Sequence, residues 1–151
     1  MKKVLFVCIH NSARSQMAEA FLNRYSEGMF EAYSAGIEPG TLNPLVVKAM
    51  AQKDIDISKN ETKSAFDFVK QGKLFNYIVT VCDEQAAQRC PIFPGVRERI
   101  MMSFEDPSSF VGSQEEKLEK IRVVRDKIED AVLDLIYYIK SGRLEENFKE
   151  D

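Results

Sequence analysis

Val4-Leu5-Phe6-Val7-Cys8-Ile9-His10-Asn11-Ser12-Ala13-Arg14-Ser15-Gln16-Met17-Ala18-Glu19 changes character twice. It begins as an apolar, β-branched run, breaks into small polar residues, and resumes with apolar residues at helical spacing, so it reads as strand, loop, helix. Lys3 to Val7 is the predicted strand, and Gln16 to Tyr25 is a helix with Met17, Ala20, Phe21 and Arg24 in helical register. The alternation then repeats. Glu31 to Ser34 reads as a strand closed by Ala35-Gly36, and Pro44 to Lys53 as a helix with Pro44 in its first turn and Asn43 as its cap. Ser64 to Gln71 is a short amphipathic helix ending at Gly72, and Tyr77 to Val81 is a buried strand followed at once by Cys82. Arg99 to Phe104 is the fourth strand, and a long helix runs from about Ser113 to Lys140. In that helix Leu118, Ile121, Val124, Ile128, Ala131, Leu135 and Ile139 form one apolar stripe, with Gly142 beyond its end.

Strands alternating with helices predict an α/β fold, a small doubly wound parallel sheet of four strands in the order 2-1-3-4 with helices on both faces. The chain of 151 residues fits one domain, expected over residues 1–142, with an acidic and mobile tail from Arg143 to Asp151. Ligands of such sheets bind beyond the carboxyl ends of the strands, where the strand order reverses. Cys8, Cys82 and Asp106 all fall at such ends, and the order 2-1-3-4 makes Cys8 and Cys82 neighbours.

Composition narrows the function. No apolar run approaches the roughly 18 residues of a membrane span, so no membrane association is expected. Met1-Lys2-Lys3 resembles the start of a signal peptide, but the apolar run stops at Ile9, and the N-terminus reads as mature sequence. A net charge of −3 argues against general affinity for nucleic acid, which needs a basic face. Three cysteines are an odd number and too few for a secreted disulfide framework, so a cytoplasmic location is expected. The single histidine, His10, excludes catalysis by a histidine pair.

The loop from Ile9 to Ser15 enters a helix N-terminus, whose free amides and partial positive charge suit an oxyanion. Ile9, His10, Asn11, Ser12, Ala13, Arg14 and Ser15 are therefore the candidate anion-binding residues. Cys8 would lie beneath the anion, in a field that with Arg14 and the Ser15 hydroxyl favours thiolate over thiol. Arg14 offers a planar fork of donors for two anion oxygens. Asn11 suits a left-handed backbone position, and His10 is expected to shape the loop. An isolated C-x5-R spacing is common by chance, but here a strand precedes it, a helix follows it, and serine comes after the arginine.

Cys8 to Glu19 resembles the phosphate loop of the low-molecular-weight tyrosine phosphatase superfamily, and specifically its thioredoxin-coupled arsenate reductase branch. The resemblance continues through Tyr33-Ser34-Ala35-Gly36-Ile37, Asn43-Pro44, Asp54-Ile55-Asp56-Ile57-Ser58, Val79-Thr80-Val81-Cys82, Cys90-Pro91 and Asp106-Pro107. It implies reduction of arsenate to arsenite. Cys8 would attack arsenate with Asp106 as proton donor, Cys82 would attack the Cys8 sulfur, and Cys90 would resolve the bond to give a Cys82–Cys90 disulfide for thioredoxin. Thioredoxin is thus the expected electron donor and partner, with arsenate or a phosphate-like oxyanion as substrate, no tightly bound cofactor, and a monomer. The catalytic set is then Cys8, Arg14, Ser15, Cys82, Cys90 and Asp106. A helical Asp83–Arg89 segment would hold Cys82 and Cys90 roughly 12 Å apart, against the 4.4 to 6.8 Å or so that a disulfide needs between Cα atoms. The segment is therefore expected to be ordered when reduced and to loop out when oxidised.

Some members of the superfamily bind potassium beside the loop. Asn11, Glu19 and Ser34 match three of those positions, but Lys63 stands at the fourth, so loop support by Asn11, Glu19, Ser34 and Lys63 without a metal is expected. The Cys82 to Cys90 interval is one residue longer than in the best-known members. Two alternatives compete with the reductase. A phosphotyrosine phosphatase would use Cys8, Arg14 and Asp106 equally well, but Ser108-Ser109 stand where such enzymes carry aromatic residues, while Tyr137 and Tyr138 read as packing residues. Weak phosphatase activity is expected in any case. The other is a metal-binding or arsenite-sensing protein using Cys8, His10, Cys82 and Cys90, whose spacings differ from common zinc patterns.

Overall fold

A computed structural model describes residues 1–141. The expected tail, 143–151, lies outside the described residues. Four strands, β1 (Lys2–Cys8), β2 (Phe30–Gly36), β3 (Tyr77–Thr80) and β4 (Glu98–Met101), form one parallel sheet in the order β2-β1-β3-β4. Helices α1 (Arg14–Tyr25), α2 (Pro44–Ala51), α3 (Ala65–Lys70), α4 (Glu84–Ala87) and α5 (Gln114–Lys140) make the crossovers and cover, with a 3₁₀ turn at Pro107–Ser109. The expected sheet order is the observed one.

Alternation along β1 divides the interior into two layers, because successive side chains point to opposite faces. Val4, Phe6 and Cys8 face α1, α2 and α5, where Met17, Phe21, Met50, Ile121 and Ile128 complete the larger core. Leu5 and Val7 face the other way, toward Ala65, Phe68, Phe75, Ile78 and Phe93. Cys82 belongs to the first layer and Cys90 to the second.

Local chemistry sets the helix starts. Asn43 caps α2 by accepting from the Leu45 amide at 2.9 Å. Ser113 and Glu116 form a capping box at α5. Three expectations need correction. The fourth strand ends at Met101 rather than Phe104: the Met102 amide still donates to the Thr80 carbonyl of β3 at 2.8 Å, but the chain then turns away, and the Phe104 carbonyl accepts from Arg14 instead of a strand. Along α5, Val132 is buried while Ala131 is half-buried, since the apolar face drifts round a helix of this length; Ile136 and Arg125 join it as well. Tyr138 packs against the core as expected, but Tyr137 is 63% exposed.

Candidate active site

Cys8 is the last residue of β1, and α1 starts six residues later at Arg14 with no side-chain cap and no acidic residue in its first turn. An uncapped N-terminus leaves its first amides available to an anion. The segment from Ile37 to Asn43 turns the preceding loop to the same purpose. Ile37 donates to the Cys8 carbonyl (3.1 Å), Glu38 to that of Ile9 (2.7 Å), Gly40 to that of His10 (2.9 Å) and Asn43 to that of Ser12 (3.0 Å). With the carbonyls held outward, the loop amides are free to face inward. Asn11 allows the turn by adopting φ of +56°. Gly36, opposite Cys8 in the sheet, is required by contact: a Cβ there would lie 2.9 Å from Asn11 N, His10 C and Ile9 O.

The hydrogen-bond network around Cys8 can be assigned from one fixed point. The Lys63 backbone amide, which can only donate, lies 3.0 Å from Asn11 Oδ1. That orients the Asn11 side chain, so its Nδ2 donates to Ser15 Oγ at 2.7 Å. Ser15 in turn has its own hydroxyl proton to give to Cys8 Sγ, 2.8 Å away. The Asn11 amide donates to the same sulfur at 3.1 Å. Two donors on one sulfur stabilise a thiolate. Behind this network Gln16, fully buried, donates to Asn11 Oδ1 (3.1 Å) and the Glu61 carbonyl (3.0 Å) and accepts from Asn60 (3.1 Å).

Arg14 is 5% exposed and closes the other side of the loop. Its Nη1 donates to the Phe104 carbonyl at 3.3 Å, and its Nη2 lies 3.4 Å from Asp106 Oδ2. Asp106 also caps the 3₁₀ turn, its Oδ1 accepting from the Ser108 amide at 3.0 Å. Phe110, the nearest aromatic after Pro107, packs against the core. His10 Nδ1 lies 2.8 Å from the Glu38 carbonyl; a carbonyl only accepts, so Nδ1 carries a proton and the ring braces the loop.

All three cysteines are free and buried. Burial pushes the Cys82 thiol up to about 11, with Arg14 opposing the rise and neighbouring Cys8 adding to it. Cys82 is therefore an uncharged thiol close to Cys8 and Arg14. Burial raises Cys90 too, and Arg99 opposes that rise. Between Cys82 and Cys90 the chain winds helically, Asp83 capping α4 through the Ala86 amide at 2.8 Å and the Cys90 amide donating to Ala87 at 3.1 Å. This short helix realises, over Glu84–Ala87, the helical arrangement weighed for Asp83–Arg89.

Asn11, Glu19, Ser34 and Lys63 lie together beside the loop. Lys63 Nζ is 3.8 Å from Glu19 Oε1 and donates to the Glu61 carbonyl at 3.3 Å. Burial pushes the Glu19 carboxyl up, while Lys63 and Ser34 draw it back. The buried Ser34 hydroxyl approaches Glu19 without closing a hydrogen bond of ordinary geometry. An ammonium already neutralises this carboxylate, and Asn11 Oδ1 is engaged twice, so these residues do not fit a resident potassium ion. The four candidate zinc ligands do not converge either, since Cys90 lies in the opposite layer from Cys8 and Cys82. No cluster of three or more His, Cys, Asp or Glu side chains suited to a metal occurs among the described residues.

Sequence reasoning missed Gln16, Gly36 and Gly40. The Ser34-Ala35-Gly36-Ile37 stretch held a signal, a glycine closing a strand beside the loop. Gln16 had none, because its partners Asn60 and Glu61 lie far along the chain.

The profile of the family described as low molecular weight phosphotyrosine protein phosphatase matches residues 3–147. An arsenate reductase of Oceanobacillus iheyensis is 40% identical over 131 residues, 87% of this chain and 92% of that protein. A solved structure described as an arsenate reductase in the phosphate binding state superposes with a TM-score of 0.73 at 29% identity, covering 92% of this chain and 99% of that one. A thioredoxin-dependent arsenate reductase of Corynebacterium glutamicum superposes with a TM-score of 0.60 at 26% identity, over 88% of this chain and 62% of that one.

Proposed function

The chain belongs to the low molecular weight phosphotyrosine protein phosphatase family, and on that premise we propose that it reduces arsenate to arsenite through a relay of Cys8, Cys82 and Cys90, with thioredoxin as reductant in the cytoplasm. The observation that carries this reading is the pairing of Cys8, held by two hydrogen-bond donors in an anion loop, with a second thiol, Cys82, buried in the same layer.

The first step is displacement at arsenic. The Cys8 thiolate forms a sulfur–arsenic bond while an oxygen departs as water, protonated by Asp106, and Arg14 holds the remaining oxygens. Cys82 then attacks Cys8 Sγ. A disulfide forms, the sulfur–arsenic bonding pair passes to arsenic, and arsenite leaves as arsenic(III). Burial keeps Cys82 protonated beforehand, so it stays unreactive until a neighbouring bond is ready to break. In the last exchange Cys90 attacks Cys82 Sγ and Cys8 leaves as thiolate. Thioredoxin supplies two electrons to the Cys82–Cys90 disulfide.

The helical winding from Asp83 to Cys90 and the burial of both thiols in opposite layers require that segment to unwind for the last exchange. Hydrolysis of small aryl phosphates is a side reaction of the same Cys8, Arg14 and Asp106. With Phe110 packed away and Ser108-Ser109 at the turn, no aromatic clamp for phosphotyrosine is built after Pro107.

The test is arsenate-dependent NADPH oxidation through thioredoxin and its reductase, with Cys82→Ser and Cys90→Ser alongside. Both variants should lose turnover while retaining aryl phosphate hydrolysis. Normal turnover by Cys90→Ser with thioredoxin would refute the three-cysteine relay.

A further inference from the structure

The last exchange of the proposed relay asks Cys90 to leave its buried place in one layer and reach Cys82, buried in the other. The segment between them is held at its start, along its length and at its far end. At the start Ser103 Oγ donates to the Cys82 carbonyl at 3.3 Å. Along its length the Asp83 cap and the main-chain bonds from Arg89 to Ala86 (3.0 Å) and from Cys90 to Ala87 (3.1 Å) keep the turn wound. At the far end the guanidinium of Arg89, the residue before Cys90, is paired with the Glu38 carboxylate.

Glu38 belongs to the strap that braces the anion loop. Its amide donates to the Ile9 carbonyl at 2.7 Å, and its carbonyl accepts from His10 Nδ1 at 2.8 Å. Two hydrogen bonds to its backbone thus fix Glu38 to the loop, while its side chain reaches across to the segment that must move. Glu38 is the fixed half of the pair and Arg89 the movable half. Both side chains are about half exposed, so the pair is weak and screened by salt. A weak contact suits a latch, since a strong one would stop the exchange.

We infer that Arg89 and Glu38 are positioning residues for the last exchange of the relay: their ion pair holds the chain next to Cys90 against the braced loop and keeps Cys90 in its own layer until the segment unwinds. The inference rests on the relay set out above. In the step it governs, the Cys90–Cys82 bond forms, the Cys8–Cys82 bond breaks, Cys8 leaves as thiolate, and the proton released by Cys90 passes to solvent. The latch opens before that attack, so the rate of the exchange scales with the fraction of molecules in which the segment is open.

The test compares Arg89→Gln, Glu38→Gln, the double variant and the exchanged pair Arg89→Glu/Glu38→Arg. In a Cys8→Ser/Cys82→Ser background, where Cys90 is the sole thiol, its alkylation by iodoacetamide, an uncharged reagent, reads how often the segment opens. Each single substitution should speed alkylation by about two- to fivefold, the range for an exposed ion pair. The double variant should be no faster than either, and the exchanged pair should return toward the parent rate. The two singles alter the local charge in opposite senses, so a mere change in Cys90 ionisation would drive their rates apart. Added salt should speed the parent and leave the singles unchanged. In the three-cysteine protein, given one equivalent of arsenate without thioredoxin, formation of the Cys82–Cys90 disulfide followed by acid trapping should quicken by the same factor, with aryl phosphate hydrolysis unchanged in Arg89→Gln. Opposite effects of the two singles, parent rates in both, or faster alkylation with an unchanged exchange overturn the positioning role. The alkylation arm involves no arsenate, so it judges the latch apart from the relay. Full thioredoxin-dependent turnover by Cys90→Ser overturns the relay itself.

Discussion

Replacing Gly36 with alanine would put a single methyl group against the anion loop. The added carbon would lie 2.9 Å from three backbone atoms, Asn11 N, His10 C and Ile9 O. Unstrained contacts of carbon fall at about 3.5 to 4.0 Å, so β2 and the loop must part by roughly 0.6 Å or more. Neither side yields easily: Gly36 donates to the Lys63 carbonyl at 2.7 Å and is paired with Cys8, while the Ile37, Glu38 and Gly40 amides hold the loop from the same side. Overpacking of this kind costs about 1–3 kcal/mol, which in a chain of this size lowers Tm by about 2–12 °C. Function should suffer more, since a misplacement near 1 Å costs about a hundredfold in rate. The expected result is a 10- to 100-fold fall in kcat/KM, for arsenate reduction and aryl phosphate hydrolysis alike, in a protein that still folds. Gly40→Ala is the matched control. Its added carbon would meet the His10 Cβ at 3.3 Å, a side-chain contact that can relax, and activity should stay within about threefold. Gly36→Ala with wild-type Tm and both activities within twofold (about 0.4 kcal/mol) would refute the claim that this contact sets the loop.

Asp106→Asn keeps the oxygen that caps the Pro107–Ser109 turn but cannot give a proton, so kcat for both reactions should fall by about 10²–10⁴ with Tm little changed. With the Cys82 thiol raised to about 11, only about one molecule in ten thousand carries its thiolate at pH 7. Alkylation of Cys82 in a Cys8→Ser/Cys90→Ser protein should therefore climb about tenfold per pH unit from 7 to 10; a plateau below pH 9 would contradict that. Lys63→Met removes the partner that offsets the burial of Glu19. A carboxyl whose folded pKa is raised costs stability as pH rises from its unfolded value through the folded one, so the variant should lose about 1 kcal/mol more at pH 7.5 than at pH 4.5, read by urea unfolding. In the parent protein, arsenate reduction should not rise with potassium over sodium at equal ionic strength, because the ammonium already serves Glu19.

Features carried by local pattern were legible in the sequence. The strand before Cys8, the helix after it and the repeat of that unit were enough to order the sheet, because parallel strands with short crossovers leave few arrangements. The left-handed turn at Asn11 and the cap at Asn43 follow from what those side chains do to their own backbone. What escaped depends on contacts distant in sequence. The ending of β4 at Met101 was hidden because the apolar run continues through Met102, whose amide still bonds Thr80, to Phe104, which is apolar for packing alone. α4 is four residues long, too short for periodicity to register, so a helix there could be weighed for the Cys82–Cys90 distance but not assigned. Nothing in Cys90-Pro91 reveals which side of the sheet the thiol takes, since it lies in a connection where strand alternation does not apply. Gln16 looked like one more polar residue on a helix until Asn60 and Glu61 were seen to meet it.

The sheet that divides Cys8 and Cys82 from Cys90 acts as a bulkhead. With Cys82 and Cys90 in separate buried layers, the two sulfurs that the proposed relay pairs would not close on each other in the resting molecule when stray oxidants are present. Breaching the bulkhead takes the unwinding of the Asp83–Cys90 turn, and in the relay the occasion for that is a Cys8–Cys82 bond already made. Under the proposed relay, the molecule would thereby store its reducing power behind a partition and commit it after the oxyanion has been consumed. A designer moving this chemistry to another α/β sheet would need to copy the partition along with the loop.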